Sequence, residues 1–194
     1  MILLILILKT FGGDGIYIGR NATGVSYSSR INVSQGILNN NRRNGISIIS
    51  GKDIIVENVT IKNTNGTNPM AGIDLEPNLP DEFLYNINLN NISTINNKID
   101  GIKIVFHKLV NSSNILININ KHNDIGSPNP LTVVGYDYDT KAKGILNYSS
   151  AKWNNNKNIR IQRKLSKDID LNIQKIDING RLYNKNINIS NIQR

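Results

Sequence analysis

The stretch NGISIISGKDIIVENVTIKNTNGTNPMAGIDLEPN, residues 44–78, decides the fold. It opens on an Asn-Gly-Ile turn and runs through ISI at 46–48 and the Ile/Val-rich segment Ile54–Ile61. It then crosses a polar run at 63–68 and returns to a second Gly-Ile pair at Gly72-Ile73. A chain that regains its starting pattern after 27 residues has completed one unit of a repeat, and fixed periods of this size mark solenoids.

The same pair recurs on both sides. Among the Gly-Ile pairs, those at Gly15, Gly45, Gly72, Gly101 and Gly144 recur at intervals of 30, 27, 29 and 43 residues. The last interval holds either an enlarged turn or a coil that has lost its pair. Asp14, Asn44 and Asp100 precede three of the glycines, while Ala71 and Lys143 depart from the pattern. After each Gly the residues alternate: IYI at 16–18, ISI at 46–48, IDL at 73–75, IKIVF at 102–106. Period two is a strand with one buried face. A second β-rich run follows three of the pairs, at Ile54–Ile61, Tyr85–Ile92 and Ile115–Ile119. No segment carries a sustained helical period. Two or three short strands per coil of about 22–30 residues predict a parallel β-solenoid, with each coil burying its apolar face on the next. The asparagines between strands suit its turns, since Asn tolerates left-handed backbone angles and stacked amides hydrogen-bond along a column. A two-sheet sandwich is the alternative, but it leaves the 27–30-residue recurrence unexplained.

Bulk properties agree. The chain has 194 residues, 39% of them apolar and only 6% aromatic, which suits a long thin core of aliphatic side chains. It is read as one domain, with regular coils over about 12–145 and an irregular basic part over about 146–194. Cysteine is absent, which excludes disulfides, thiolate metal sites and a cysteine nucleophile. Residues 141–194 hold 12 Lys/Arg against three Asp/Glu, so the whole net charge of +9 lies there. Such a tail is either a solvated face or a lure for an anionic polymer. Without regularly interleaved aromatics for base stacking, nucleic acid is not the expected partner. The opening MILLILILKT is too short to span a bilayer and lacks a positive n-region and a cleavage site, so a buried strand is expected there. A chain that starts on such a strand is also expected to be a fragment of a longer one.

The coils resemble those of right-handed parallel β-helix proteins of the pectin-lyase-like superfamily. The segment NNRRNGISIISGKDIIVENVTIKNTNGTNPMAGIDLEPN, residues 40–78, is similar to stretches of bacterial and phage-associated members. The likeness covers roughly residues 12–120. That superfamily includes pectate lyases, polygalacturonases, uronate epimerases and phage tailspikes, most of which bind or cleave polysaccharides along the outside of one sheet. The resemblance implies a carbohydrate-active protein, secreted or at a cell or virion surface. It acts on an acidic polysaccharide by lyase, epimerase or hydrolase chemistry, or else is a non-catalytic structural or adhesive module.

With the Ile and Leu of each Gly-Ile strand pointing inward, the first outward column is Tyr17, Ser47, Asp74, Lys103. Glu76 and His107 follow on the same strands, and Arg42 and Arg43 sit in the turn before Ser47. Asp74, Glu76, Lys103, His107 and Arg43 are the candidate catalytic residues; Tyr17, Arg42 and Ser47 are candidate substrate contacts. Asp74 and Glu76, two apart on one strand, stand about 6.5–7 Å apart along the backbone, room for a water between carboxyls. In a β-elimination, Lys103, Arg43 or His107 serves as base or as neutraliser of the uronate carboxyl. Asp74 and Glu76 are then the candidate Ca²⁺ ligands, since hard cations take carboxylate oxygens and the resembled pectate lyases use Ca²⁺. Their motif is not matched residue by residue, and the polygalacturonase Gly-His-Gly is missing. The competing reading is an ordinary cross-strand Asp74–Lys103 ion pair. Pro77 and Pro80 end the Asp74 strand and push 77–84 out as a loop that can wall a groove. His122 falls in a polar run and is expected to face solvent; Tyr148 and Trp153 serve either to stack on sugars or to fill the core.

Overall fold

The computed structural model describes residues 6–20, 26–106, 108–109, 114–135, 142–154, 160–161 and 169–184. Its strands, in chain order, are β1 (Leu6–Lys9), β2 (Ile16–Ile18), β3 (Ser28–Ser34), β4 (Gly36–Asn39), β5 (Ile46–Ile48), β6 (Gly51–Lys62), β7 (Ala71–Leu75) and β8 (Leu84–Ile95). They continue as β9 (Asp100–Val105), β10 (Asn114–Ile125), β11 (Asn129–Val134), β12 (Lys143–Asn154), β13 (Arg160–Ile161), β14 (Ile169–Ile178) and β15 (Arg181–Tyr183). The described residues contain no helix, and so none long and apolar enough to cross a membrane.

The strands alternate between two sheets. The second sheet runs β13-β11-β9-β7-β5-β2, and the first runs β1-β4-β6-β8-β10-β12-β14-β15, with β3 also on β6. Every pairing is parallel except the last, where β15 folds back antiparallel on β14. The result is the all-β parallel solenoid that the repeat predicts, of about five turns. Its interior is the aliphatic column: Ile46, Ile48, Ile73, Leu75, Ile102 and Ile104 are fully buried. The stacking continues past Ile145, because β12 and β14 join the first sheet in register as far as Ile178.

The recurring glycine has a steric cause. A Cβ on Gly45 would lie 2.7 Å from the carbonyl oxygen of Gly72; one on Gly72 would lie 2.6 Å from that of Gly101, and one on Gly101 2.7 Å from that of Pro130. Backbones of successive coils meet at this column, and only hydrogen fits between them. The contact also locates the fifth coil. Pro130-Leu131 occupies the Gly-Ile position there, 29 residues after Gly101, and Gly144 belongs to β12 in the other sheet.

The first sheet bends where one residue per coil takes a left-handed backbone angle. Gln35, Asn58, Asn91, Lys121, Ser150 and Lys175 stand in line with φ between 53° and 57°. Each non-glycine residue there carries strain of order 1 kcal/mol. Where Asn occupies the corner, its side chain offsets part of this: Asn91 Nδ2 donates to Asn58 Oδ1 at 2.7 Å.

Gly72→Ala is expected to destabilise by ~1–3 kcal/mol, since the added methyl must push two backbones apart. Gly13→Ala, where a Cβ meets nothing within 4 Å, leaves stability nearly unchanged. Urea unfolding of both variants beside the wild type measures this.

Candidate functional site

The outward column forms as the alternation requires. Tyr17 pairs in register with Ser47, Ser47 with Asp74, and Asp74 with Lys103. Thr132 extends it by one coil. Facing outward does not bring exposure, however. Tyr17 is 58% exposed, whereas Ser47 and Asp74 are at 0%.

Asp74 lies at the centre of a cluster drawn from three coils. Its Oδ2 accepts a 3.2 Å hydrogen bond from Asn44 Nδ2, which also donates to Ser47 Oγ at 3.0 Å. Its Oδ1 is buried without a hydrogen-bond partner, 3.9 Å from Lys103 Nζ. Lys103 reaches further over to Glu76, with Nζ 2.9 Å from Oε2. Burial pushes the Asp74 carboxyl up to about 7; Lys103 opposes the rise, and the charge of Glu76 and a hydrogen bond with it add to it. Burial alone would lower Lys103, but Asp74 and the hydrogen bond to Glu76 outweigh it and hold the ammonium raised and protonated.

Several chemical consequences follow. A lysine held protonated by two carboxylates is a poor general base, which counts against β-elimination through Lys103. Lys103 Nζ, 3.9 Å from Asp74 Oδ1 and 2.9 Å from Glu76 Oε2, bridges the two carboxyls where an inverting glycoside hydrolase holds its water. The pair also makes a poor calcium site. Lys103 holds the cationic position, two carboxylates fall short of the six to eight oxygens Ca²⁺ takes, and the described residues contain no cluster of three acidic or His side chains suited to a metal.

The other candidates lie around this centre. Arg43 is paired with Asp14 at 3.0 Å. Arg42 is exposed in the turn, where its backbone N–H donates to Phe11 O at 2.9 Å. The Tyr17 hydroxyl is raised by partial burial and by Glu82 and Asp14, against Arg43. His107 lies outside the described residues. The loop after Pro77 does stand beside the column and is itself tied down. Arg20 meets Asp81 at 2.6 Å and Glu82 at 3.5 Å, and Glu82 Oε2 accepts from the Asn78 and Leu79 N–H groups.

Asn44, Asp14 and Arg20 were not among the expected site residues. The signal for the first two was the acid or amide before each Gly-Ile pair. Its role is to cap the next coil: Asp14 Oδ1 accepts from Asn44 N, and Asn44 Oδ1 accepts from Ala71 N. Arg20 carried no pattern of its own.

His122 corrects an expectation. It is buried, not solvent-facing, and its imidazole bridges Thr94 Oγ1 at 2.6 Å and the Tyr148 hydroxyl at 2.5 Å. Thr94 also donates to Asp124 Oδ2, and Trp153 Nε1 donates to the Tyr148 hydroxyl. Lys121 takes the corner, so the alternation restarts and turns His122 inward. Burial lowers His122 to about 3 and keeps it neutral. Tyr148 and Trp153, fully buried, are core residues and offer no platform for a sugar.

Compared with known proteins, the chain matches no family, no curated protein and no solved structure.

Asp74 also sets a pH dependence. Its folded pKa lies above its unfolded value, so its contribution to stability is full below about pH 4 and is lost as pH rises through about 7. The wild type is therefore expected to lose a few kcal/mol relative to Asp74→Asn between pH 4 and pH 7.5. Urea midpoints of both proteins at the two pH values read this out, and parallel pH curves would refute it.

Proposed function

We propose that this solenoid is a non-catalytic module that holds a polysaccharide on its outer surface, in a structural or adhesive role. The observation that carries the absence of catalysis is the closure of the Asp74 cluster. Asp74 has no exposed surface, Lys103 is neutralised by two carboxylates, and Arg43 is neutralised by Asp14. Groups so paired join three coils into one body and spend their charges on each other. Support for a polysaccharide comes from the resemblance to pectin-lyase-like solenoids and from an outer surface rich in amides and hydroxyls, the groups that bind sugar hydroxyls.

A catalytic reading has one observation in its favour. Asp74 holds a proton near neutrality and keeps one oxygen without a hydrogen bond, as a general acid requires, beside Glu76, whose Oε2 lies 2.9 Å from Lys103 Nζ. For it to act, Lys103 and Glu76 must swing aside and admit substrate.

The two readings separate in one experiment. Purified protein is incubated with a panel of polyuronates and neutral glycans, and new reducing ends and unsaturated uronates are followed. The expected result is no turnover, with polymer binding retained in Asp74→Asn and Glu76→Gln. Turnover of any polymer that Asp74→Asn abolishes would establish the catalytic reading instead.

A further inference from the structure

The outer face of the first sheet carries a feature that the Asp74 cluster does not use. Along one column, Asn88, Asn118, Asn147 and Asn172 stand in register on four successive strands, β8, β10, β12 and β14. Their amides form one polarised chain. Asn172 donates to Asn147 at 2.9 Å, Asn147 to Asn118 at 2.9 Å, and Asn118 to Asn88 at 3.0 Å. Asn88 passes the chain to Asn86 at 2.9 Å, and Asn86 ends it on the Asp53 carboxylate at 2.8 Å. Every amide donates in the same direction, and a carboxylate is the terminal acceptor, so the chain is cooperatively strengthened and its side chains are fixed.

An amide has two N–H donors and two acceptor lone pairs. Asn118 and Asn147 each use one donor and one lone pair along the chain. Each therefore keeps one N–H and one lone pair for an outside partner, at a repeat of about 4.8 Å set by the strand spacing. The adjoining column is also uncharged from β8 onward, running through Asn90, Asn120 and Ser149. At one side stands Tyr85 on β8, 43% exposed, three residues before Asn88. Tyr27, also exposed, lies two coils earlier, edge-on to Phe83 with ring centroids 4.8 Å apart and with Lys52 Nζ 5.6 Å from its ring centre.

We propose that this asparagine track binds a neutral, extended polysaccharide. Each rung offers a donor and an acceptor to a pair of sugar hydroxyls, and Tyr85 stacks on the apolar face of a ring at the end of the track. Prior alignment of the amides by their own chain lowers the entropic cost of binding. Charge sets the class of polymer. The two columns from Asn88 to Asn172 hold no lysine or arginine, and the chain of amides runs out on Asp53 with Glu57 beside Asn90. Within these two columns a polyanion finds no counter-charge; Lys52 lies outside them, in register with Tyr85 on the strand before. This inference rests on the polysaccharide-binding reading and gives it a place and a ligand class. It lies on a different sheet from the Asp74 cluster.

The test is depletion binding of the whole chain to insoluble cellulose, mannan and chitin, with polygalacturonate as the acidic comparison, at 0.15 M and 1 M NaCl. The informative variant is Asn118→Ile with Asn147→Ile. Ile55 already occupies this column one coil before Asn88, so the fold accepts an aliphatic side chain there. Tyr85→Ala is the second variant, and circular dichroism with thermal melting verifies folding of both. The expected result is salt-insensitive binding of a neutral glycan that falls roughly tenfold in the double variant, the equivalent of two lost hydrogen bonds, and falls also in Tyr85→Ala. Neutral-glycan binding unchanged in both folded variants would overturn the track while leaving polysaccharide binding in place. Binding of polygalacturonate alone, lost at 1 M NaCl, would overturn the neutral class. Failure to bind any polymer would overturn the polysaccharide reading itself.

Discussion

Everything in this molecule depends on how closely successive backbones approach at the glycine column. Gly45, Gly72 and Gly101 sit where a methyl would come within 2.7 Å of the next coil's carbonyl oxygen or closer. Inter-strand hydrogen bonds set the rise between coils at about 4.8 Å, the glycine contact admits that approach, and the ladders hold both sheets in register. From that register come the aliphatic column inside, the Tyr17–Ser47–Asp74–Lys103 column outside, and the asparagine chain on the opposite sheet. A residue's neighbours are therefore its equivalents one coil away, and side-chain chemistry is read along columns that cross the sequence at intervals near 29 residues.

The two outer faces use this register in opposite ways. On the second sheet, charged groups from neighbouring coils pair with each other, and Asp74 is withdrawn from solvent, its carboxyl raised to about 7 because burial outweighs its attraction to Lys103. On the first sheet, uncharged amides from neighbouring coils satisfy half of their capacity on each other and keep the rest outward. The interior holds a third polar group, the Thr94–His122–Tyr148–Trp153 network, in which every heteroatom bond is made within the core. Satisfied buried networks of this kind specify one packing arrangement over its near alternatives.

Most of the fold was legible because the repeat is carried by residues with a narrow physical role. Glycine at the contact, aliphatics at alternate positions and asparagine at corners all leave a period in the sequence. The fifth coil was harder to place, because Pro130 replaces glycine at the contact and Gly144 imitates the pair from another strand. His122 was misread because the polar run around it hides a corner at Lys121, and a left-handed residue restarts the in–out alternation. The site was legible as a column and opaque as chemistry. Alternation shows that Asp74 points outward; it is silent on the neighbouring lysine and the amide that meet it and on its burial. The asparagine chain went unread for a related reason. A composition rich in Asn makes any one of them unremarked, and only the pairing register reveals that four stand in line.

The register itself is open to direct measurement. The chain has no cysteine, so spin labels can be placed on introduced cysteines without background. Ser34 and Gln174 lie five strand steps apart in one column, and Glu57 and Gln174 lie four. Pulsed electron–electron resonance on the two labelled pairs is predicted to give single narrow distances, the first longer by one step of about 4.8 Å. Equal distances, or broad and multiple ones, would contradict the in-register stacking on which the whole account stands.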